Sequence, residues 1–282
     1  MMPDEPLHDT VAGLLQRRFN EPFRIDAAWR GLDELARIAG HSSHRKFRDE
    51  PVAPDLLRAL CACALSAPSK SDLQQADLMI VSDGTLRDAI TPLLPDMPWT
   101  REAPAFVVVL ANGRRLTQLA ARKGTPFPND HLDQFFNAAV DAGIVLATFI
   151  RAAEAIGLGC CPISVIRDHA ATVSTLLGLP ERVIPVAGLC VGWPHFPNRI
   201  TPRLPLSVTV HENRFDDSRS AAAIETYDRY RETVLPYAKQ RAVADFGERV
   251  DYGWSDDKAR QYAIPQRADF GAFVREKGFK LG

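Results

Sequence analysis

The chain has 282 residues and a formal net charge of −1, long for one domain but compatible with one that buries a sizeable core. Apolar residues make up 46% and charged residues 24%, the balance of an ordinary soluble globular protein, and the near-zero charge argues against a protein built to coat nucleic acid or an anionic membrane. No apolar run approaches the roughly 20 residues that span a bilayer, and the acidic, polar start MMPDEPLHDT lacks the pattern of a secretory leader, so a cytoplasmic location with no membrane or nucleic-acid partner is expected.

Residues 4–40 read as two short helices, with apolar faces from Leu14, Leu15, Ala28, Leu32, Leu35 and Ile38 and a stop at Gly40. A polar, basic knot HSSHRK (41–46) follows, then Phe47. Pro51 and Pro54 precede a helix over Asp55–Leu65, with Asp55 near its positive end. The loop APSKSDLQ (67–74) leads into a strand at Leu78–Val81. Leu86–Leu94 reads as helix and Ala105–Leu110 as a second buried strand. Residues 112–131, polar and carrying Gly and Pro, read as a mobile excursion. Asp133–Ile156 reads as a long helix, nearly apolar all round from Phe135 to Ile150. A helix without a polar face must be enclosed, in a large core or between two subunits.

That helix stops at Gly157, since glycine takes the left-handed conformation without steric cost. An extended segment, Cys160–Ile166, follows, ending at Arg167. Val183–Val191 is too short for a buried helix, and its β-branched residues and glycines suit an interior strand. Arg203 lies between two prolines, which hold its backbone extended. A guanidinium fixed in this way suits an oxyanion such as phosphate. Leu206–Val210 alternates as a further strand, and the tail from Ser218 is helical and charged, with Tyr227, Tyr230, Tyr237 and Trp254.

The pattern is α+β: about five strands among helices placed too irregularly for a βαβ series. One core, residues 40–215, with a helical N-terminal extension (1–39) and a helical C-terminal extension (216–282), fits better than two domains, because no linker divides the chain. The five cysteines form no CxxC and no zinc-ligand spacing, so they read as free thiols and no metal site is expected. His211-Glu212-Asn213 is not HExxH, Gly157-Leu158-Gly159 is not a dinucleotide fingerprint, and there is no Walker-type GK[ST].

Three polar clusters remain, 41–46, 69–74 and 201–203. Each borders a regular element, where loops carry function. Arg45 and Arg203 supply guanidinium groups, and the middle cluster supplies amide, hydroxyl, ammonium and carboxylate. A ligand with a phosphate at one end and a flat polar ring at the other would use all three.

In order and spacing these pieces resemble the FMN-dependent nitroreductase family, above all its NADPH-nitroreductase and flavin-reductase branch. The matching segments are GHSSHRKFRDEPV (40–52), SAPSKSDLQ (66–74), AAEAIGLGCCPISVIR (152–167), LGLPERVIPVAGLCVGWP (177–194), TPRLP (201–205) and VHENRF (210–215). ETYDRY (225–230), Trp254-Ser255 and Gly278-Phe279 extend the likeness, so that it runs from about residue 33 to the end. The resemblance implies a mostly antiparallel sheet flanked by helices and a two-fold homodimer with flavin at the subunit interface. It implies FMN as cofactor, NADPH or NADH as hydride donor, and a nitroaromatic, quinone or flavin acceptor reduced by ping-pong two-electron transfer at the flavin N5.

Carried over by position, His41, Ser43 and Arg45 would hold the FMN phosphate and ribityl chain, with Arg203 completing the phosphate grip. Ser69 and Gln74 would meet the ribityl and pyrimidine edge. Pro162, Ile163 and Ser164 would pass beside the ring, the backbone of Ile163 and Ser164 lying near N5, and no catalytic side chain is implied. The chain departs from the family pattern at Thr201, where a basic residue is expected, at Ser164 and Val165, where adjacent glycines are expected, and at Ser42, in place of an arginine. Lys70 is read as replacing the lost charge near flavin N1. The 112–131 excursion is read as a lid over the acceptor, with Phe127 and Phe135 as stacking groups. Two alternatives stay open: another flavin reaction on this scaffold (reductive dehalogenation, ene reduction or flavin breakdown), and a low-turnover FMN-binding protein.

Overall fold

The computed structural model describes residues 5–197 and 199–282; residues 1–4, part of the acidic start, and Asn198 lie outside them. In chain order the first helices are α1 (Leu7–Phe19), α2 (Leu32–Ala39), α3 (Pro54–Leu65), α4 (Gly84–Ile90), α5 (Trp99–Glu102) and α6 (Arg114–Lys123). Then come α7 (Leu132–Ala155), α8 (Ala170–Leu176), α9 (Leu206–Thr209), α10 (Ser220–Val234), α11 (Val243–Phe246), α12 (Trp254–Ala263) and α13 (Phe270–Glu276). The strands are β1 (Ala76–Ile80), β2 (Ala105–Asn112), β3 (Gly159–Ile163) and β4 (Val183–Gly192). The chain forms two compact units: a sheet unit of residues 43–198 with 267–282, and a helical unit of 1–42 with 199–266.

The sheet unit holds one four-stranded sheet in the order β1-β2-β4-β3, antiparallel at every pairing. β2, AFVVVLAN, is buried at every position. Its side chains alternate between faces: Val107, Val109 and Ala111 enter one apolar cluster, Phe106, Val108 and Leu110 the other. Helices α3 and α7 cover the first face through Leu57, Leu60, Ala138, Val145 and Phe149. The second face packs on Ile90 and Leu94, and on Val173 of α8. Both faces are therefore dry, which is why the central strand is a continuous rather than alternating apolar run.

Three expectations are corrected. Leu206–Val210 is not a strand: Leu206–Thr209 forms a single helical turn after Pro205, so the sheet has four strands among the described residues, not five. Its alternation had no partner strand to pair with. Residues 112–131 are not an excursion throughout, since Arg114–Lys123 form α6. The Asn112 side-chain oxygen accepts from the Arg114 and Arg115 N–H groups, Leu116, Leu119 and Ala120 recur at helical spacing, and Gly124 ends the helix at φ 67°. Finally, α7 is 24 residues long and apolar enough to cross a membrane by length and composition alone, contrary to the absence of such a run read above. Its buried side packs in the sheet unit's core, as a core helix does.

α7 is enclosed on one side only. Ala138, Ala142, Val145, Phe149 and Ala153 are buried, whereas Leu132, Phe136 and Val140 stand exposed at 52%, 60% and 41%. The last turn leads through Gly157, at φ 86°, into β3.

The helical unit has another construction. α1 packs on α2, and α10 on α9 and α12. Tyr227 packs edge-on against Trp254 at 5.7 Å, and Asp228 accepts from the Ser255 N–H at 3.1 Å.

Candidate functional site

In the sheet unit residues 43–45 of the first cluster lie alongside the edge strand β3. Ser43 forms a parallel bridge with Cys160, and the His44 N–H donates to the Cys160 carbonyl at 2.8 Å. Gly159 makes this approach possible, because a Cβ there would lie 2.6 Å from the His44 ring. Arg45 is exposed, with its guanidinium over the Trp99 ring at 5.6 Å. Cys161 is buried; desolvation pushes its thiol up while Arg45 pulls the other way. Pro162 and Ser164 are exposed and Ile163 is buried. Neither Ser164 nor Val165 has a positive φ, so this backbone needs no glycine at the two positions where glycines were expected.

The 69–75 loop is organised by Asp141 of α7, a buried carboxylate. It accepts from Ser69 Oγ at 2.8 Å, the Lys70 N–H at 3.1 Å and the Gln75 N–H at 3.2 Å. Ser69 Oγ in turn accepts from the Gln74 N–H at 2.8 Å. Ser71, Asp72 and Gln74 take left-handed conformations at φ 49°, 58° and 52°, and the Gln74 amide donates to Asp72 at 3.0 Å. Arg115 ties the loop's far end, donating to the Gln74 carbonyl and pairing with Asp77 at 2.5 Å. Ser69 and Gln74 line a cleft of about 580 Å³ with Asp77, Arg115 and Asp141. Lys70 faces a neighbouring cleft of about 470 Å³, with Gln75, Gln134 and Phe127. Phe135 packs edge-on against Phe279, at 5.4 Å, and joins the core rather than a lid.

In the helical unit His41 and Arg203 line one cleft of about 460 Å³, together with Arg18, Phe19, Ile38, Leu204 and Thr209. The Arg203 side chain is exposed, and its guanidinium lies 3.4 Å from the Thr201 and Pro202 carbonyls. Tyr227, buried on α10, donates its hydroxyl to the Pro202 carbonyl at 3.2 Å and steadies this segment.

The described groups that the sequence brought forward thus fall into four places. Ser43 and Arg45 flank the β3 strand that ends at Pro162, Ile163 and Ser164; Ser69 and Gln74 share one cleft; Lys70 lines another; His41 and Arg203 share a third. Arg18, Trp99, Arg115 and Asp141 were not read as site residues. Asp141 left a signal, a lone carboxylate in an apolar helical run. The donor set suits a phosphorylated cofactor such as FMN, since Arg203 and His41 in an open cleft offer what a phosphate dianion accepts.

The family model described as the nitroreductase family matches residues 38–193, and that of its C-terminal domain matches residues 201–282. An oxygen-insensitive NADPH nitroreductase of Salmonella typhimurium is 35% identical over 247 residues, 86% of this chain and 96% of that protein. An FMN reductase (NAD(P)H) of Bacillus subtilis is 30% identical over 248 residues, again 86% of this chain and 96% of the relative. Among solved structures, nitroreductase A from Vibrio parahaemolyticus is similar with a TM-score of 0.76 at 28% identity, covering 87% of this chain and 97% of that one. The NADPH:FMN oxidoreductase from Vibrio harveyi, solved in complex with NAD+, gives 0.75 at 26% identity, covering 87% and 98%. By sequence match and by the antiparallel sheet with its flanking helices, this chain belongs to the nitroreductase family.

Proposed function

We propose that this chain is an FMN-dependent NAD(P)H oxidoreductase that reduces nitroaromatic, quinone or flavin acceptors and acts as a homodimer. The observation that carries the reading is the cleft where Arg203 and His41 converge from positions far apart in the chain. In this reading Arg203 and His41 hold the FMN phosphate, Ser43 and Arg45 the phosphate and ribityl chain, and Ser69 and Gln74 the ribityl and pyrimidine edge. Pro162, Ile163 and Ser164 lie along the ring. Bound FMN supplies two-electron hydride chemistry between nicotinamide and acceptor. The chain's own part is to bind and orient: Asp141 fixes the 69–75 loop in advance, so little ordering entropy remains to oppose ligand binding. The homodimer rests on the exposed apolar stripe Leu132, Phe136 and Val140, which a second copy would cover. A cytoplasmic location accords with NAD(P)H as donor.

The test is the visible spectrum of the purified protein, followed by anaerobic mixing with NADPH and then with a nitroarene or quinone. The expected result is a yellow protein, bleached by NADPH and recoloured by the acceptor. A colourless protein that takes up no FMN would refute the proposal.

A further inference from the structure

We infer that Arg18 is a positioning residue for the phosphate grip, contributed by a helix that precedes the family match. α1 ends at Phe19, before the residues the family model matches, which begin at 38. Its last turn nevertheless reaches the cleft that holds His41 and Arg203, lining it with Arg18 and Phe19.

Arg18 is 7% exposed. Its Nε and one terminal nitrogen donate to the Ala39 carbonyl at 3.0 and 2.8 Å, and that same terminal nitrogen donates to the His41 carbonyl at 2.6 Å. The other terminal nitrogen donates to the Thr201 carbonyl at 3.0 Å. The Arg18 carbonyl accepts the Arg203 N–H at 2.6 Å. One residue is therefore fastened to both sides of the grip: by its side chain to the segment entering His41, and by side chain and backbone to the segment carrying Arg203.

The four bonds come from three nitrogens held in one plane; an ammonium, with three donors on one nitrogen at the end of a flexible stem, would hold the same carbonyls less rigidly. Burial of a guanidinium is costly, and apolar contacts would dock a helix with less desolvation. The placement is explained if Arg18 does more than dock α1. It holds the Arg203 and His41 backbones in register and adds positive potential to the cleft they share, which favours an anion there. The inference rests on the reading of His41 and Arg203 as phosphate-binding.

The experiment titrates apoprotein with FMN and with riboflavin, which lacks the phosphate, following quenching of flavin fluorescence, and records each variant's melting temperature. Arg18→Lys and Arg18→Gln are expected to weaken FMN binding roughly tenfold or more while leaving riboflavin affinity unchanged. Tyr230→Phe is the control: it removes the hydroxyl that donates to the Arg17 carbonyl at 3.0 Å, loosening α1 elsewhere, and should alter neither affinity. Arg203→Ala tests the underlying reading and should also lose FMN selectively. If Arg203→Ala loses FMN while both Arg18 variants bind FMN normally, or lose FMN and riboflavin alike, Arg18 is merely structural and the inference falls. Normal FMN binding by Arg203→Ala would overturn the reading of the cleft itself, and the inference with it.

Discussion

In the sheet unit the buried side chains are mostly hydrocarbon: Val107, Val108 and Val109 on β2 and Phe149 on α7 have no exposed surface, with Gln75 and Asp141 among the polar exceptions. In the helical unit ions make up a larger share of them. Arg18, Asp257 and Arg260 are buried there, beside few buried apolar side chains, among them Val11, Leu32, Tyr227 and Tyr252. Both large apolar clusters belong to the sheet unit. The helical unit is tied by directed contacts instead: Arg260 stacks on Tyr252 at 5.1 Å and donates to the Arg241 carbonyl at 2.9 Å, and Arg231 covers Tyr237 at 4.1 Å. Hydrophobic burial is non-directional and holds a scaffold, whereas fork-shaped donors fix where particular backbone segments run. The segments so fixed include those carrying His41 and Arg203.

The comparison predicts which substitutions hurt. Phe149→Ala should cost most, about 3–5 kcal/mol from lost transfer energy and the cavity left behind, measured by urea denaturation. A loss near 1 kcal/mol would mean that the core beneath α7 collapses easily, and that the sheet unit is less tightly packed than its burial implies.

In the helical unit the larger effects should come from polar groups. Asp257 accepts from Tyr252 Oη at 3.0 Å and from Lys258 Nζ at 2.7 Å. Burial pushes its carboxyl up, and hydrogen bonds from Lys258 and Tyr252 outweigh that and hold it below the usual value. Asp257→Ala should cost about 1–3 kcal/mol, because the Tyr252 hydroxyl loses a buried acceptor. A neutral result would remove the contrast between the units.

The sheet unit was legible from sequence because its signals are side-chain periodicities: β-branched runs for β2 and β4, length and apolarity for α7. The errors fall where such signals mislead. α6 is polar and basic enough to resemble loop, and the alternation at 206–210 promised a strand that had nothing to pair with. In the candidate site, Arg203 was signalled by its flanking prolines and His41 by the order of motifs. Arg18 was not, and the reason is physical. The carbonyls it grips, those of Ala39, His41 and Thr201, leave no mark in the sequence, and an arginine in the last turn of a helix looks like ordinary dipole compensation.

Asp141 joins the two themes, a polar group directing backbone inside the apolar unit. Asp141→Asn keeps the shape but replaces one acceptor oxygen with a donor, facing N–H groups that also donate. The expected cost is about 1–2 kcal/mol, with faster proteolysis in the 69–75 loop. Unchanged cleavage there would show that the loop's left-handed residues hold without the carboxylate.

The smallest effect should come from an ion group at the sheet unit's margin. Arg182 grips Asp130 through two bonds, at 2.6 and 2.9 Å, and Lys280 adds a third at 3.0 Å. The Arg182 hydrogen bonds hold the Asp130 carboxyl below the usual carboxylate value despite partial burial, with Lys280 assisting. A depressed folded-state pKa means that this stabilisation is present above the unfolded value, about 3.9, and is lost as pH falls through the folded one. Asp130→Asn should therefore lower stability by about 1 kcal/mol at pH 7, and the gap from the parent should close as pH is taken below about 4. Melting temperatures of both proteins across pH 3–7 measure this. A gap of constant size would mean that the neutral amide and the carboxylate serve Arg182 equally well, and that charge contributes nothing to holding this edge of the apolar unit.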